Sequence, residues 1–210
     1  ITKISAGIPV LYTGIALTIL VAAVTIGGLK SIATVSSKVV PGMAVIYFLT
    51  TLGILIAFAD QVPAAVALVI ESAFTTTAAQ GGFLGATVML AMRSGVARGV
   101  FSNEAGLGSA PIAHAAAVTD SPVKQGFWGA FEVFFDTLVI CTLTSLVIVS
   151  SGLYNNGMQG ADLTIAAFGK AIGPLGTFGV TLATVLFAIS TILGWSYYGE
   201  RCIEYLFGKK

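Results

Sequence analysis

The sequence predicts an all-α membrane protein with about five transmembrane units, one of them discontinuous. Of the 210 residues, 56% are hydrophobic and only 9% are charged, whereas about a quarter of the residues of a soluble domain are charged. The mean hydropathy is +0.96, and apolar runs long enough to cross a bilayer recur along the chain. We expect helices because lipid offers no hydrogen-bond partner to an open backbone.

Charge and cysteine content argue against other classes of protein. The net charge of +1 creates no global field that would attract nucleic acid, so no nucleic-acid partner is expected. Cys141 and Cys202 lie far apart without ligand-like spacing, and His114 is the only histidine. The sequence therefore predicts neither a disulfide framework nor a transition-metal site, and no organic cofactor.

Five apolar units are expected to cross the membrane, because a bilayer core of about 30 Å requires about 20 apolar residues per helix. The units are residues 8–27, 39–58, 82–117, 127–151 and 174–205. A polar link, residues 28–38, separates the first two, and residues 119–126 form a linker before the fourth. Residues 64–80 are apolar for only about ten residues, which favours an interfacial helix. A further short helix is predicted at residues 163–171.

Lysine and arginine lie mainly in alternate links of this arrangement. One set of links and the C-terminal end carry Lys30, Lys38, Lys124, Arg201, Lys209 and Lys210. The links on the other side contain only Lys170. Basic loops mark the cytoplasmic side of a membrane protein. We therefore expect a multi-pass protein of the cytoplasmic membrane, with the basic links inside the cell.

Ionisable side chains cluster in the third and fourth units. They are Arg93, Arg98, Glu104, Glu132 and Asp136. A charged group at membrane depth costs about 2.5–3.5 kcal/mol on insertion scales, so such groups persist mainly in bundle interiors or aqueous cavities. Glu132 and Asp136 are spaced i, i+4 and would share one helix face, where an arginine can pair with them. The pattern predicts a structural ion network that joins the two units.

Glycines and polar residues indicate a break within the third unit. The glycines are Gly95, Gly99, Gly106 and Gly108, and each weakens a helix by about 1 kcal/mol. Ser102 and Asn103 are good N-cap residues, and Pro111 suits the start of a second helix. We therefore predict two half-helices joined by an extended piece around residues 98–103, as at the substrate and ion sites of secondary transporters. The alternative is an unbroken helix in which the first two glycines pack against a neighbour.

The last unit contains a second polar patch. Ser190 and Thr191 place two hydroxyls together, and Trp195 shares a face with Thr191. Adjacent hydroxyl oxygens suit a hard cation such as Na⁺; alternatively, they donate to carbonyls of their own helix. Trp195 either walls a small pocket or belongs to an interfacial aromatic belt.

Three segments together resemble a known family. The stretch GVARGVFSNEAGLGSAPIAHAAA, followed by FFDTLVICTLTSLVI and TILGWSYYGERCIEYLFG, is similar to the alanine or glycine:cation symporters, also called sodium:alanine symporters. The similarity extends over essentially all 210 residues. It implies a LeuT-like fold of two inverted five-helix repeats, in which the five units are helices four to eight and residues 82–117 are the broken sixth helix. It also implies a fragment that lacks the first and last helices of the same protein, which would be its partners.

The resemblance implies specific site residues. Those implied to contact a small neutral amino acid are Phe101, Ser102, Asn103, Thr191 and Trp195. Ser190 and Thr191 are implied as sodium ligands. The implied activity is sodium-coupled symport of alanine or glycine across the cell membrane by alternating access, with Na⁺ as the coupling ion.

Other functions remain as alternatives. Proton coupling could replace sodium coupling. A channel would need a continuous polar stripe along several helices, which residues 8–27 and 39–58 do not offer. A membrane-embedded enzyme would need a nucleophile and a base near Glu132 and Asp136, and no such arrangement is recognisable, so no enzymatic activity is expected.

Overall fold

Helices make up every regular element of the described chain. The computed structural model describes residues 10–74 and 84–208. In chain order its helices are α1 (Val10–Thr25), α2 (Gly28–Ala57), α3 (Val62–Phe74), α4 (Leu84–Asn103), α5 (Ala110–His114), α6 (Pro122–Ser151), α7 (Gly160–Ile172) and α8 (Pro174–Phe207). Parts of three predicted elements lie outside the described residues. They are residues 8–9 of the unit 8–27, residues 75–80 of the interfacial helix and residues 82–83 of the third unit.

Three of the described helices are long and apolar enough to cross a bilayer. They are α2, α6 and α8. The most apolar 18-residue segments of these helices have mean hydropathies of 2.2, 2.1 and 1.9. Helices α1 and α3 are apolar but shorter. The all-helical class predicted from composition is confirmed.

Helix α2 includes the polar segment that the sequence analysis placed in a link. Residues 28–38 are helical and continuous with the apolar remainder of α2. The hydroxyls of Thr34 and Ser37 donate to backbone carbonyls of the preceding turn. Their hydrogen-bonding needs are therefore met within the helix, and the helix continues. Pro41 lies inside the same helix. At a rise of about 1.5 Å per residue, α2 is about 45 Å long.

Helix α6 begins earlier than its predicted apolar unit and contains a π-helical segment. Pro122 occupies its first turn after an extended Ser121, a favourable start because the missing proline N–H would have no partner there. Residues Phe135–Cys141 are π-helical. In this geometry hydrogen bonds join residues five apart, and single π-turns often occur at functional sites.

Close contacts divide the chain into two units, and the first comprises residues 1–50 and 177–210. Here α2 and α8 approach closely: a Cβ added to Gly179 would lie 2.8 Å from the Thr50 hydroxyl oxygen. The rings of Tyr47 and Phe187 meet edge to face at 5.8 Å, an arrangement that aromatic pairs prefer. The glycine therefore allows two long helices to pack backbone against side chain.

The second unit comprises Thr51–Gly176. Helices α3 and α7 both pack on the last part of α6, where Val147 and Phe168 are fully buried. The ammonium of Lys170 donates to the carbonyl of Ser151 at 2.6 Å, which places a cation at the C-terminal end of α6. Helix α4 contacts the π-helical segment. The candidate site lies at that contact.

Candidate functional site

The third membrane unit is interrupted at residues 104–109. Helix α4 continues through Asn103 and α5 begins at Ala110. The predicted position of the break, residues 98–103, is wrong, because Gly99 and its neighbours remain helical. The break falls where the backbone turns left-handed, at Glu104 (φ 56°), Gly106 (φ 83°) and Gly108 (φ 83°). Such torsions cannot continue a right-handed helix, whereas a glycine with helical torsions only weakens one.

Asn103 ends α4; it does not cap a new helix. Its side-chain oxygen accepts a hydrogen bond from the amide of Ala105 at 2.9 Å, a turn that asparagine commonly forms with the backbone two residues on. The prediction that Ser102 and Asn103 start the second half-helix is therefore wrong. Pro111 does lie in the first turn of that helix, which follows Ser109.

The 104–109 loop is tied together at its two ends and open between them. The hydroxyl of Ser109, a buried residue, donates to a carboxylate oxygen of Glu104 at 2.6 Å. Between them, residues 105–108 are exposed. Within the described chain, the amides of Gly106 and Gly108 make no hydrogen bond. The loop therefore presents bare backbone donors.

Two hydrogen bonds join the end of α4 to the π-helical segment of α6. Ser102 donates to Asp136 Oδ2 at 2.8 Å, and Asn103 Nδ2 donates to Thr137 Oγ1 at 2.7 Å. We call these four residues the clasp. The hydroxyl of Ser102 also lies 3.8 Å from the sulfur of Cys141. Cys141 follows Asp136 by five residues, so π-helical geometry places both beside the same serine.

Glu132 and Asp136 have different partners, although an α-helix would place them on one face. Asp136 accepts from Ser102, whereas Glu132 Oε2 lies 3.7 Å from His114 Nε2. The other ring nitrogen of His114 is 2.8 Å from the side-chain nitrogen of Gln125. The π-helical segment begins at Phe135, between the two carboxylates.

The predicted arginine partners of these carboxylates lie elsewhere. Arg93 and Arg98 are exposed. Within residues 10–74 and 84–208, neither forms an ion pair with Glu104, Glu132 or Asp136. The carboxylates instead contact serine and histidine side chains. The two arginines are not part of this arrangement within the described residues.

The other predicted site residues are placed as follows. Phe101 is 75% exposed. In the first unit, Thr191 is exposed, and Trp195 meets Tyr198 edge to face at 5.8 Å. Ser190 donates to the carbonyl of Phe187 at 2.9 Å. The sequence analysis gave such a bond within the helix as the alternative to a cation site.

Sequence reasoning missed Thr137, Ser109 and the contacts of His114. Thr137 lies in an apolar run and carries no motif; only its position beside Asp136, an acid at membrane depth, marked the neighbourhood. The π-helical segment that brings both residues to α4 has no recognisable signal in the sequence.

The family described as the sodium:alanine symporter family matches residues 1–210. The chain belongs to this family. It is 51% identical over 203 residues to an uncharacterized transporter of Haemophilus influenzae, and 47% identical over 208 residues to the sodium/alanine symporter AgcS of Methanococcus maripaludis. A probable sodium/glutamine symporter, GlnT of Bacillus subtilis, is 39% identical over 197 residues. These matches cover 96%, 97% and 93% of the chain but 44%, 45% and 40% of the relatives.

Membership in the sodium:alanine symporter family confirms the resemblance stated from the sequence. Together with the apolar helices, it identifies an integral membrane protein. The chain spans less than half the length of the relatives named above.

The left-handed glycines of the loop give a direct test of the break. We expect Gly108→Ala to lower the free energy of unfolding by about 1–2 kcal/mol, because a Cβ disfavours positive φ by that amount. No atom lies within 4 Å of the added Cβ, so the effect is purely conformational. The control is Gly99→Ala, also in open space but helical, which should be neutral or stabilising by up to about 1 kcal/mol. Thermal unfolding in detergent measures both; equal shifts would argue against a left-handed Gly108.

Proposed function

We propose that these residues belong to a sodium-coupled symporter that moves small neutral amino acids, alanine or glycine, across the cytoplasmic membrane by alternating access. We further propose a LeuT-like arrangement in which five membrane units correspond to helices four to eight. This activity is proposed for the whole polypeptide that carries these residues. The observation that carries the proposal is the open 104–109 loop inside a helical unit of a symporter-family protein.

The loop suits the carboxylate of an amino acid. The exposed amides of Gly106 and Gly108 are donors without a partner in the described chain, and backbone amides freed by a helix break are typical ligands for such a group. Ser102 and Asn103 lie directly before the loop, and the exposed ring of Phe101 is available as an apolar wall. Thr191 and Trp195 are proposed as substrate contacts on the family resemblance.

Ser190 and Thr191 are proposed as sodium ligands. Ser190 uses its only hydrogen to donate to Phe187, which leaves the lone pairs of its oxygen for a cation. The name of the Methanococcus relative, a sodium/alanine symporter, agrees with this coupling ion. Sodium binding would then order the transport site before the amino acid binds, and the inward sodium gradient would drive uptake.

Uptake into proteoliposomes tests the proposal. The complete polypeptide that carries these residues is reconstituted and supplied with labelled alanine under an inward sodium gradient, an inward proton gradient at constant sodium, or neither. We expect accumulation above equilibrium only with the sodium gradient. Accumulation driven by protons alone would favour the proton-coupled alternative, and equal uptake in all three conditions would contradict coupled symport. Competition by unlabelled glycine and glutamine defines the size of the accepted side chain.

A further inference from the structure

We propose that Asp136 and Thr137 are positioning residues of the transport site, which act through the clasp to hold the start of the 104–109 loop in its binding-competent form. The inference rests on the proposed function, because it assigns roles within that site. Neither residue is proposed to touch the substrate. Their contribution is to fix Ser102 and Asn103.

Asn103 links the π-helical segment directly to the loop backbone. Its amide nitrogen donates to Thr137, while its amide oxygen accepts from the backbone of Ala105. A carboxamide is planar and rigid, so its two ends move together. The hydroxyl of Thr137 therefore helps to fix the position of Ala105, and with it the direction in which the following glycine amides point.

The clasp consists of two bonds in register, which fix orientation as well as distance. Consecutive residues 102 and 103 bond to consecutive residues 136 and 137. A single bond would leave α4 free to rotate about it. Two bonds, to side chains that leave α6 at different angles, restrain that rotation.

The π-helical segment gives the clasp a specific geometry. It brings Cys141 beside Asp136, so that the Ser102 hydroxyl lies between a carboxylate and a sulfur. Ser102 donates its only hydrogen to the carboxylate, the stronger acceptor. Within an unbroken α-helix, residues 136 and 141 would point to different sides.

Loss of the clasp should appear in substrate affinity. A site that is competent for only a fraction of the time binds with an apparent affinity reduced by that fraction. Removal of one neutral hydrogen bond changes such an equilibrium by about fivefold. We therefore expect Thr137→Val, which keeps the shape and removes the acceptor, to raise the KM for alanine by up to about fivefold at an unchanged maximal rate, the full factor applying when the competent form is the minor one.

The experiment measures sodium-driven alanine uptake by the complete polypeptide in proteoliposomes, normalised to reconstituted protein. The variants are Thr137→Val, Thr137→Ser, which keeps the hydroxyl, and the control Thr164→Val, whose hydroxyl donates only to its own helix. Thr137→Ser and Thr164→Val should keep the wild-type KM. If valine prevents insertion, Thr137→Ala removes the same hydroxyl without a branched side chain.

The outcomes separate the two proposals. Wild-type KM in Thr137→Val or Thr137→Ala, or the same increase in Thr137→Ser and Thr137→Val, would overturn the clasp while leaving symport intact. A fall in maximal rate at constant KM would also overturn it, since it would indicate a loss of active protein. A wild-type protein that shows no coupled uptake would overturn the proposed function itself.

Discussion

Gly176→Ala is expected to lower the free energy of unfolding by about 3 kcal/mol, enough to reduce the yield of folded protein sharply. The Cβ of an alanine at this position would overlap the carbonyl oxygen of Phe168 and lie 2.9 Å from its carbonyl carbon. Both are backbone atoms of α7, so no side-chain rotation relieves the overlap. The helices themselves must separate, and Phe168, which is fully buried, loses its packing.

The measurement is the thermal unfolding of the detergent-solubilised protein, together with its monodispersity on size exclusion. Gly194→Ala is the matched control, because it lies in the same helix with no atom within 4 Å of the added Cβ. It should be neutral or stabilising by up to about 1 kcal/mol. A Gly176→Ala protein as stable as wild type would contradict the close approach of α7 and α8.

Asp136→Ala is expected to reduce sodium-driven alanine uptake about tenfold or more at equal protein amounts. The carboxylate accepts the hydroxyl hydrogen of Ser102 at 2.8 Å. A hydrogen bond to a charged group contributes about 1.5–3 kcal/mol, more than the neutral bond of Thr137. Its loss also leaves the serine without its acceptor directly before the loop. The effect should therefore exceed that of Thr137→Val.

Initial uptake rates at saturating sodium and at alanine concentrations well below the wild-type KM measure this effect, with Asp120→Asn as the control. Asp120 forms a largely exposed i, i+4 ion pair with Lys124, a type of contact that contributes little. Its uptake should stay within about twofold of wild type. If Asp136→Ala transports as fast as Asp120→Asn, the carboxylate has no part in the transport site.

The helical class and the existence of a break follow from the sequence, but the position of the break does not. Low charge and apolar runs require a helical membrane protein, and the glycines of the third unit weaken its helix. Propensity alone cannot separate Gly95 and Gly99, which remain helical, from Gly106 and Gly108, which turn left-handed. The loop at the second pair is held by a contact that helix propensity does not include, the hydrogen bond from Ser109 to Glu104.

The sequence predicted most residues of the candidate site, but it did not predict which of them pair with each other. Ser102 and Asn103 drew attention as N-cap residues near a helix break, and Asp136 as an acid at membrane depth, where a charge is costly. Asp136 pairs with Ser102 whereas Glu132 lies beside His114, and a π-helical segment begins between the two carboxylates. The expected arginine–carboxylate pairs rested on α-helical spacing, which does not hold through residues 135–141.

The surplus length of α2 affects how movement can pass out of the membrane. Its span of about 45 Å exceeds a hydrocarbon core of about 30 Å, so roughly ten residues stand among headgroups and water. Those residues carry Lys30 and Lys38. Pro41 lies near the boundary between these residues and the apolar part of α2, and its missing N–H removes one backbone hydrogen bond from the helix. The lysine-bearing turns can therefore reach past the hydrocarbon, and the missing hydrogen bond at Pro41 makes this the point at which the helix bends most easily.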